Sequence, residues 1–132
     1  MAAVSQAFYD TPNRRGMVMG VLPCDESLEK PKDGYPNQWV EIPVMTHLPS
    51  SGERGTEPMS RNHINVLTSD IIVALPGDAG TGSEVRLAVR YERPIIAFVE
   101  SEEEIPGLPN SVSISGSLAG VRTFVMTQLR GH

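Results

Sequence analysis

Ile71-Ile72-Val73-Ala74-Leu75-Pro76-Gly77-Asp78-Ala79-Gly80-Thr81-Gly82-Ser83-Glu84 is the stretch that decides how the rest of this chain reads. Ile71 to Leu75 are five apolar residues in a row, led by β-branched side chains, and predict a buried strand. The strand runs straight into Pro76–Gly82, which holds three glycines. Ser83–Glu92 then predicts a helix, with Val85, Leu87, Ala88 and Val89 apolar and Arg86 and Arg90 four apart on the other side. Strand, glycine-rich turn and helix, in that order, are how α/β proteins hold phosphates. The strand brings the chain to its carboxyl end, glycines let the backbone approach an anion, and the helix start offers free N–H groups and a positive dipole end. The loop matches neither GxGxxG nor a Walker A sequence, so a plain tight turn stays open beside an anion site.

Outward from that centre, Met59–Thr68 predicts a helix with Met59, His63 and Val66 or Leu67 on one face, closed by Asp70. Pro94–Val99 predicts a second buried strand, followed by the acidic, proline-broken loop Glu100–Asn110 and a short strand at Val112–Ile114. Leu118, Val121, Val125 and Leu129 mark an amphipathic C-terminal helix. Upstream, residues 1–9 have room for two helical turns, Gly16–Leu22 for a buried strand, and Trp39–Met45 for another with Pro43 at an edge or near its end. Two long polar loops, Cys24–Asn37 and His47–Pro58, separate these elements, and such loops tend to be functional. Strands alternating with helices predict an α/β class with a mostly parallel sheet, in a single domain over residues 1–132.

Composition narrows the function. Eleven Lys and Arg against sixteen Asp and Glu give a net charge of −5, which argues against nucleic-acid backbones and anionic membrane surfaces. Nine of the eleven basic residues are Arg. The single cysteine, Cys24, permits no internal disulfide and the longest apolar runs are strand-sized, so the expectation is a cytoplasmic protein with no membrane span. Twelve glycines and eleven prolines exceed the usual ~12% share and imply many turns.

Individual residues carry competing readings. Thr81-Gly82-Ser83-Glu84 fits a capping box, Thr81 accepting from the Glu84 amide and Glu84 reaching back to Thr81, and spacing alone favours that cap. The functional reading makes Glu84 a carboxylate that grips ribose hydroxyls or acts as a general base. His63 reads as a structural histidine, His47 and His132 as bystanders, and no Cys/His spacing resembles a metal site. Cys24 reads as a plain thiol, and Glu102-Glu103-Glu104 as a solvated loop. Arg86, Arg90 and Arg93 form a one-sided stripe that reads as a solvated face.

Pro76–Glu84 resembles the PGGxGTxxE motif of the Lonely Guy phosphoribohydrolases, often mislabelled lysine decarboxylases, and of the related molybdenum-cofactor carrier-like proteins. Gly20-Val21-Leu22-Pro23 resembles that superfamily's glycine, aliphatic and proline strand end. Arg61-Asn62, with Asn65-Val66 and Ser69-Asp70, resembles the Arg-Asn helix of the carrier-like branch, as does Thr46 after a strand. Pro94-Ile95-Ile96 resembles the strand after the motif helix. Arg61 and Glu84 stand 23 residues apart, about the separation the hydrolase branch uses. Two departures stand out: Asp78 replaces the motif's second glycine, and the chain starts where members have already completed a strand-helix-strand unit, so the resemblance implies a Rossmann-like sheet incomplete at its N-terminus.

What the resemblance implies is a phosphate held by Gly77, Gly80 and Thr81, with Asp78 beside it, Arg61 over the anion or leaving group, and Glu84 on the ribose. The expected function is binding of a phosphorylated small molecule, nucleotide-like or molybdopterin-like, with a nucleotide or molybdenum cofactor as bound ligand and no cofactor required. Two alternatives stand beside it: a nucleoside 5′-monophosphate phosphoribohydrolase with Arg61 and Glu84 as its catalytic residues, and a remnant that is oligomeric and inactive. A homo-oligomer, dimer or higher, is the expected assembly, and the resemblance implies an interface as the alternative reading of the Arg86, Arg90 and Arg93 stripe.

Overall fold

Parallel strands flanked by helices make this an α/β fold of Rossmann-like type, in a computed structural model that describes residues 1–131. His132 lies outside the described residues. The chain divides into two compact units, Met1–Pro49 and Ser50–His132.

In the first unit, helix α1 (Ala2–Tyr9) precedes strand β1 (Met19–Leu22), which pairs in parallel with β2 (Ile42–Met45). Both strands are shorter than their apolar runs. Pro43 lies inside β2, opposite Gly20. The Ile42 amide donates to the Val18 carbonyl at 3.0 Å, so the alternation of a strand turns the position of Pro43's missing donor away from β1. Arg14 closes the connection: its Nη1 and Nη2 donate to the two carboxylate oxygens of Glu41 at 2.8 and 2.9 Å, a forked pair. The Val18 amide adds a third bond to Glu41 at 2.8 Å. The hydrogen bond from Arg14 is the main reason the Glu41 carboxyl is held below its ordinary value of 4.5. Cys24, just past β1, is a free thiol and is buried.

In the second unit, a 3₁₀ turn at Gly52–Arg54 leads to helix α2 (Asn62–Leu67), strand β3 (Ile72–Ala74), helix α3 (Ala79–Arg90), strand β4 (Ile95–Ala97), strand β5 (Ser113–Ile114) and helix α4 (Leu118–Arg130). β3, β4 and β5 lie side by side in that order, all parallel, with Ile72 opposite Ile95 and Ala97 opposite Ile114. Ala74 and Ala97, small and buried in adjacent strands, cluster with Val85 of α3 and with Val99, Ile105 and Val112. Leu87 and Ala88 form a second cluster with Val66 of α2. A fully buried Val, Leu or Ile contributes roughly 1.5–3 kcal/mol, so α3, which feeds both clusters, anchors this unit.

Several expectations shift. Met59 stands outside α2 and is exposed, because the chain turns at Pro58–Met59 and Ser60 pairs with Ser50 before the helix starts. Val112 is buried just ahead of β5 rather than in it. Glu102–Glu104 is a 3₁₀ turn rather than a featureless loop, with Glu104 and Ser101 forming a reciprocal cap. The α4 helix forms as its periodicity predicts, capped by Ser117 on the Gly120 amide at 3.2 Å, and none of its residues is buried. Among the described residues, no helix is long and apolar enough to cross a membrane.

Candidate functional site

The site is built where β3 ends and α3 begins. The helix starts at Ala79, four residues earlier than its apolar spacing predicts, and only Pro76-Gly77-Asp78 stay in the turn. Aspartate is among the strongest N-caps. Asp78 takes that role, its Oδ1 accepting from the Gly80 amide at 3.0 Å, and Gly80, Thr81 and Gly82 become the first helical turn. The capping box expected between Thr81 and Glu84 is therefore not made. Its geometry needs Thr81 at the helix boundary, and Thr81 is already inside.

The three expected phosphate donors stand as follows. The Gly77 amide donates to the Glu104 carbonyl at 3.1 Å and the Gly80 amide to Asp78. Thr81 lies in the first turn with its side chain packed against Gly77. A Cβ at Gly77 would collide with the Thr81 hydroxyl and stand 2.9 Å from its Cβ, so this glycine is a steric requirement. Asp78 thus places a carboxylate of the chain itself at the positive end of α3, where an anionic ligand would be drawn.

Glu84, in the second turn of α3, reaches across to α2. Its Oε1 accepts from Arg61 Nη1 at 3.2 Å and from Asn65 Nδ2 at 2.9 Å. Arg61, which opens α2, and Asn65, one helical turn later, lie on one face of that helix. Both donors converge on a single carboxylate oxygen, Oε1. The pair is partly screened, with Arg61 and Glu84 side chains 16% and 29% exposed, so a ligand still has access. The spacing of 23 residues therefore corresponds to a direct ion pair. Asn65 is the partner that sequence reasoning left without a role. Its offset of four from Arg61 was the available clue.

Behind this pair lies a buried polar layer. Ser60, Asn62 and Ser83 are buried. Ser83 Oγ donates to the Gly52 carbonyl at 2.8 Å and accepts from Arg86 Nη2 at 3.1 Å. The Asn62 amide donates to Ser60 Oγ at 3.2 Å. A Cβ at Gly55 would stand 2.6 Å from both Asn62 Nδ2 and Ser83 Cβ, so the 3₁₀ turn packs tightly on α2 and α3. Glu57 ties the same loop together, bound by Arg54 at 2.8 Å and by Ser50 Oγ at 3.1 Å, and the Arg54 hydrogen bond holds its carboxyl below the ordinary range.

His63 takes its structural part, its Nδ1 paired with the Tyr91 hydroxyl at 2.7 Å and its Nε2 with the Glu57 carbonyl at 2.8 Å. The arginine stripe does not act as one surface. Arg86 bonds Ser83, Arg93 donates to the Leu67 carbonyl at 2.9 Å, and Arg90 lies over the Tyr91 ring at 5.7 Å. Among the described residues no three His, Cys, Asp or Glu gather as metal ligands.

Chemically, the arrangement offers a permanent cation, a carboxylate with one oxygen fixed by two donors, and a helix start whose positive end is partly satisfied by Asp78. A family model described as the SLOG cluster4 family matches residues 1–120. No curated protein and no solved structure matches the chain.

Proposed function

The chain belongs to the SLOG cluster4 family, which points to nucleotide-related ligand binding, and from that premise we propose that it binds a phosphorylated, nucleotide-like small molecule at the start of α3. The observation that carries this reading is the convergence of Arg61 and Asn65 on one oxygen of Glu84, beside the helix N-terminus. In this reading Arg61 faces the anion, the Thr81 hydroxyl and the first-turn amides hold the phosphate, and Glu84 Oε2 accepts from a ribose hydroxyl. Asp78 competes for the same ground, so the phosphate has to share or displace its carboxylate. A phosphate monoester is common to nucleotides and molybdopterin, and the residues of the helix start suit that shared group rather than either ring system.

The test is thermal denaturation against ribose 5-phosphate and a panel of nucleoside monophosphates, AMP first. Ligand at one hundred times its Kd stabilises by about 2.7 kcal/mol, a shift of several degrees for a chain of this size. Folded protein with no response to any phosphate ligand overturns the proposal.

The Glu84 carboxylate, held by Arg61 and Asn65 and 29% exposed, also favours a second reading, hydrolysis of the N-glycosidic bond of a nucleoside 5′-monophosphate. The C1′–N bond would break, water oxygen would bond to C1′, and the base would depart with a proton. The carboxylate would offset positive charge on the anomeric carbon. Incubation with AMP or GMP followed by chromatography for free base tests it. Glu84→Gln should abolish release while the fold persists, and undiminished release would refute the role.

A further inference from the structure

A second feature of the Ser50–His132 unit stands apart from the Arg61–Glu84 pair. At the carboxyl ends of the parallel strands lies an open cavity of about 250 Å³, lined by the apolar Leu75, Phe98 and Val99 and by Glu100 and Glu104. Open α/β sheets bind ligands outside the carboxyl ends of their strands. The volume falls just under the ~300–1,000 Å³ that accommodates a drug-sized molecule, so it suits one planar ring rather than a whole nucleotide.

The rim carries two carboxylates, Glu100 exposed and Glu104 half-buried. Glu104 Oε1 accepts from the amides of Glu100 at 2.6 Å and Ser101 at 2.9 Å, which fixes the turn that forms one wall. The Glu100 carboxylate lies against Gly116, where a Cβ would stand 2.5 Å from Oε2 and 2.9 Å from Oε1. Glycine there is what makes room for it. Among the described residues, no donor reaches the Glu100 carboxylate. An ionised carboxylate only accepts hydrogen bonds, so a ring seated on the apolar floor has to present N–H donors to this rim. Two carboxylates also repel a phosphate, which keeps the anionic end of a ligand out of this cavity. The wall is joined to the candidate phosphate loop by the Gly77 amide on the Glu104 carbonyl at 3.1 Å, and Pro76 lines the cavity itself.

We propose that this cavity is a base pocket that selects a guanine-type ring, whose adjacent N1–H and exocyclic amine match the Glu100 carboxylate while its faces rest on Phe98 and Leu75. Adenine is disfavoured, because its ring nitrogen would present a lone pair to a carboxylate. The role of this ring as the base of a nucleotide rests on the phosphate reading above; the pocket is testable without it.

The experiment titrates the full chain, by calorimetry or chemical-shift perturbation, with four probes. Guanosine, inosine and adenosine carry no phosphate, and ribose 5-phosphate carries no base. Guanosine should bind about 2- to 10-fold more tightly than inosine, which lacks the exocyclic amine, the worth of one hydrogen bond to an exposed acceptor. Adenosine should bind more weakly than guanosine. Glu100→Gln should erase the guanosine preference and leave ribose 5-phosphate affinity unchanged. Failure of guanosine to bind, or guanosine and adenosine binding alike, overturns the pocket whether or not ribose 5-phosphate binds. Guanosine selectivity without ribose 5-phosphate binding keeps the pocket and overturns the phosphate reading. Should Glu100→Gln misfold, the comparison of the three nucleosides on the unaltered chain still decides.

Discussion

Asp78 poses the sharpest question at the scale of single residues. It stands where the resembling motif has glycine, and its carboxylate takes the Gly80 amide that a phosphate would otherwise use. Asn caps a helix about as well as Asp and carries no charge, so Asp78→Asn should leave stability within a few tenths of a kcal/mol. The same change should tighten ribose 5-phosphate binding by about three- to tenfold by removing a like charge from the positive end of α3. Weaker binding in calorimetry would mean that the carboxylate serves the ligand, through a bridging cation. Arg14 and Glu41 give a second residue-level prediction. Glu41 has a folded pKa below its ordinary 4.5, so the stability it confers is complete above that value and is lost as pH falls through the folded pKa. Glu41→Gln should therefore lower the urea midpoint near neutral pH, and the two proteins' midpoints should converge in acid. A constant gap from about pH 7 to about pH 3 would rule out the ion pair as the cause. What the residue sequence revealed at this scale was the Arg61–Glu84 relation, through spacing. What it concealed was the partner choice of Glu84: Thr81-x-x-Glu84 satisfies a local rule completely, and only the folded placement of α2 shows that the long-range bonds win.

Elements were legible where their apolar runs were long, and their ends were not. β3 and β4 follow directly from Ile71–Leu75 and Pro94–Val99. The start of α3 was obscured by Gly80 and Gly82, which propensity assigns to a loop. A Cβ at Gly82 would collide with the Pro106 carbonyl, so this helical position has to be glycine. Close packing thus overrides intrinsic preference. Gly55 sits in the same kind of contact, against Asn62 and Ser83, both on helices. Gly55→Ala should separate the 3₁₀ turn from α2 and α3 at a cost of roughly 1–3 kcal/mol, lowering Tm by roughly 4–15 °C. Circular dichroism melts check this, and a Tm unchanged from the parent chain would show that the turn yields freely.

For the molecule as a whole, the α/β class was readable from alternating apolar and helical segments. The cavity at the strand ends was not, because Leu75, Phe98, Glu100 and Gly116 come from three separate stretches and only the parallel sheet brings them together. The division into Met1–Pro49 and Ser50–His132 falls within the long polar loop His47–Pro58, which the sequence marks as a loop without marking it as a boundary. All six candidate residues, Arg61, Gly77, Asp78, Gly80, Thr81 and Glu84, fall in the second unit, so that unit carries the proposed chemistry.

The buried thiol of Cys24 supplies the first unit with a clock. It is the chain's single cysteine and is 2% exposed, so a thiol reagent has one target and reaches it only when that unit opens. Colorimetric labelling in native buffer should run roughly a hundredfold or more slower than in denaturant, and its rate measures the opening frequency of Met1–Pro49. Helical signal comes mostly from α3 and α4, with a smaller share from α1, so it weighs the second unit while Cys24 labelling reports the first. Labelling as fast in native buffer as in denaturant would show that Cys24 is not shielded.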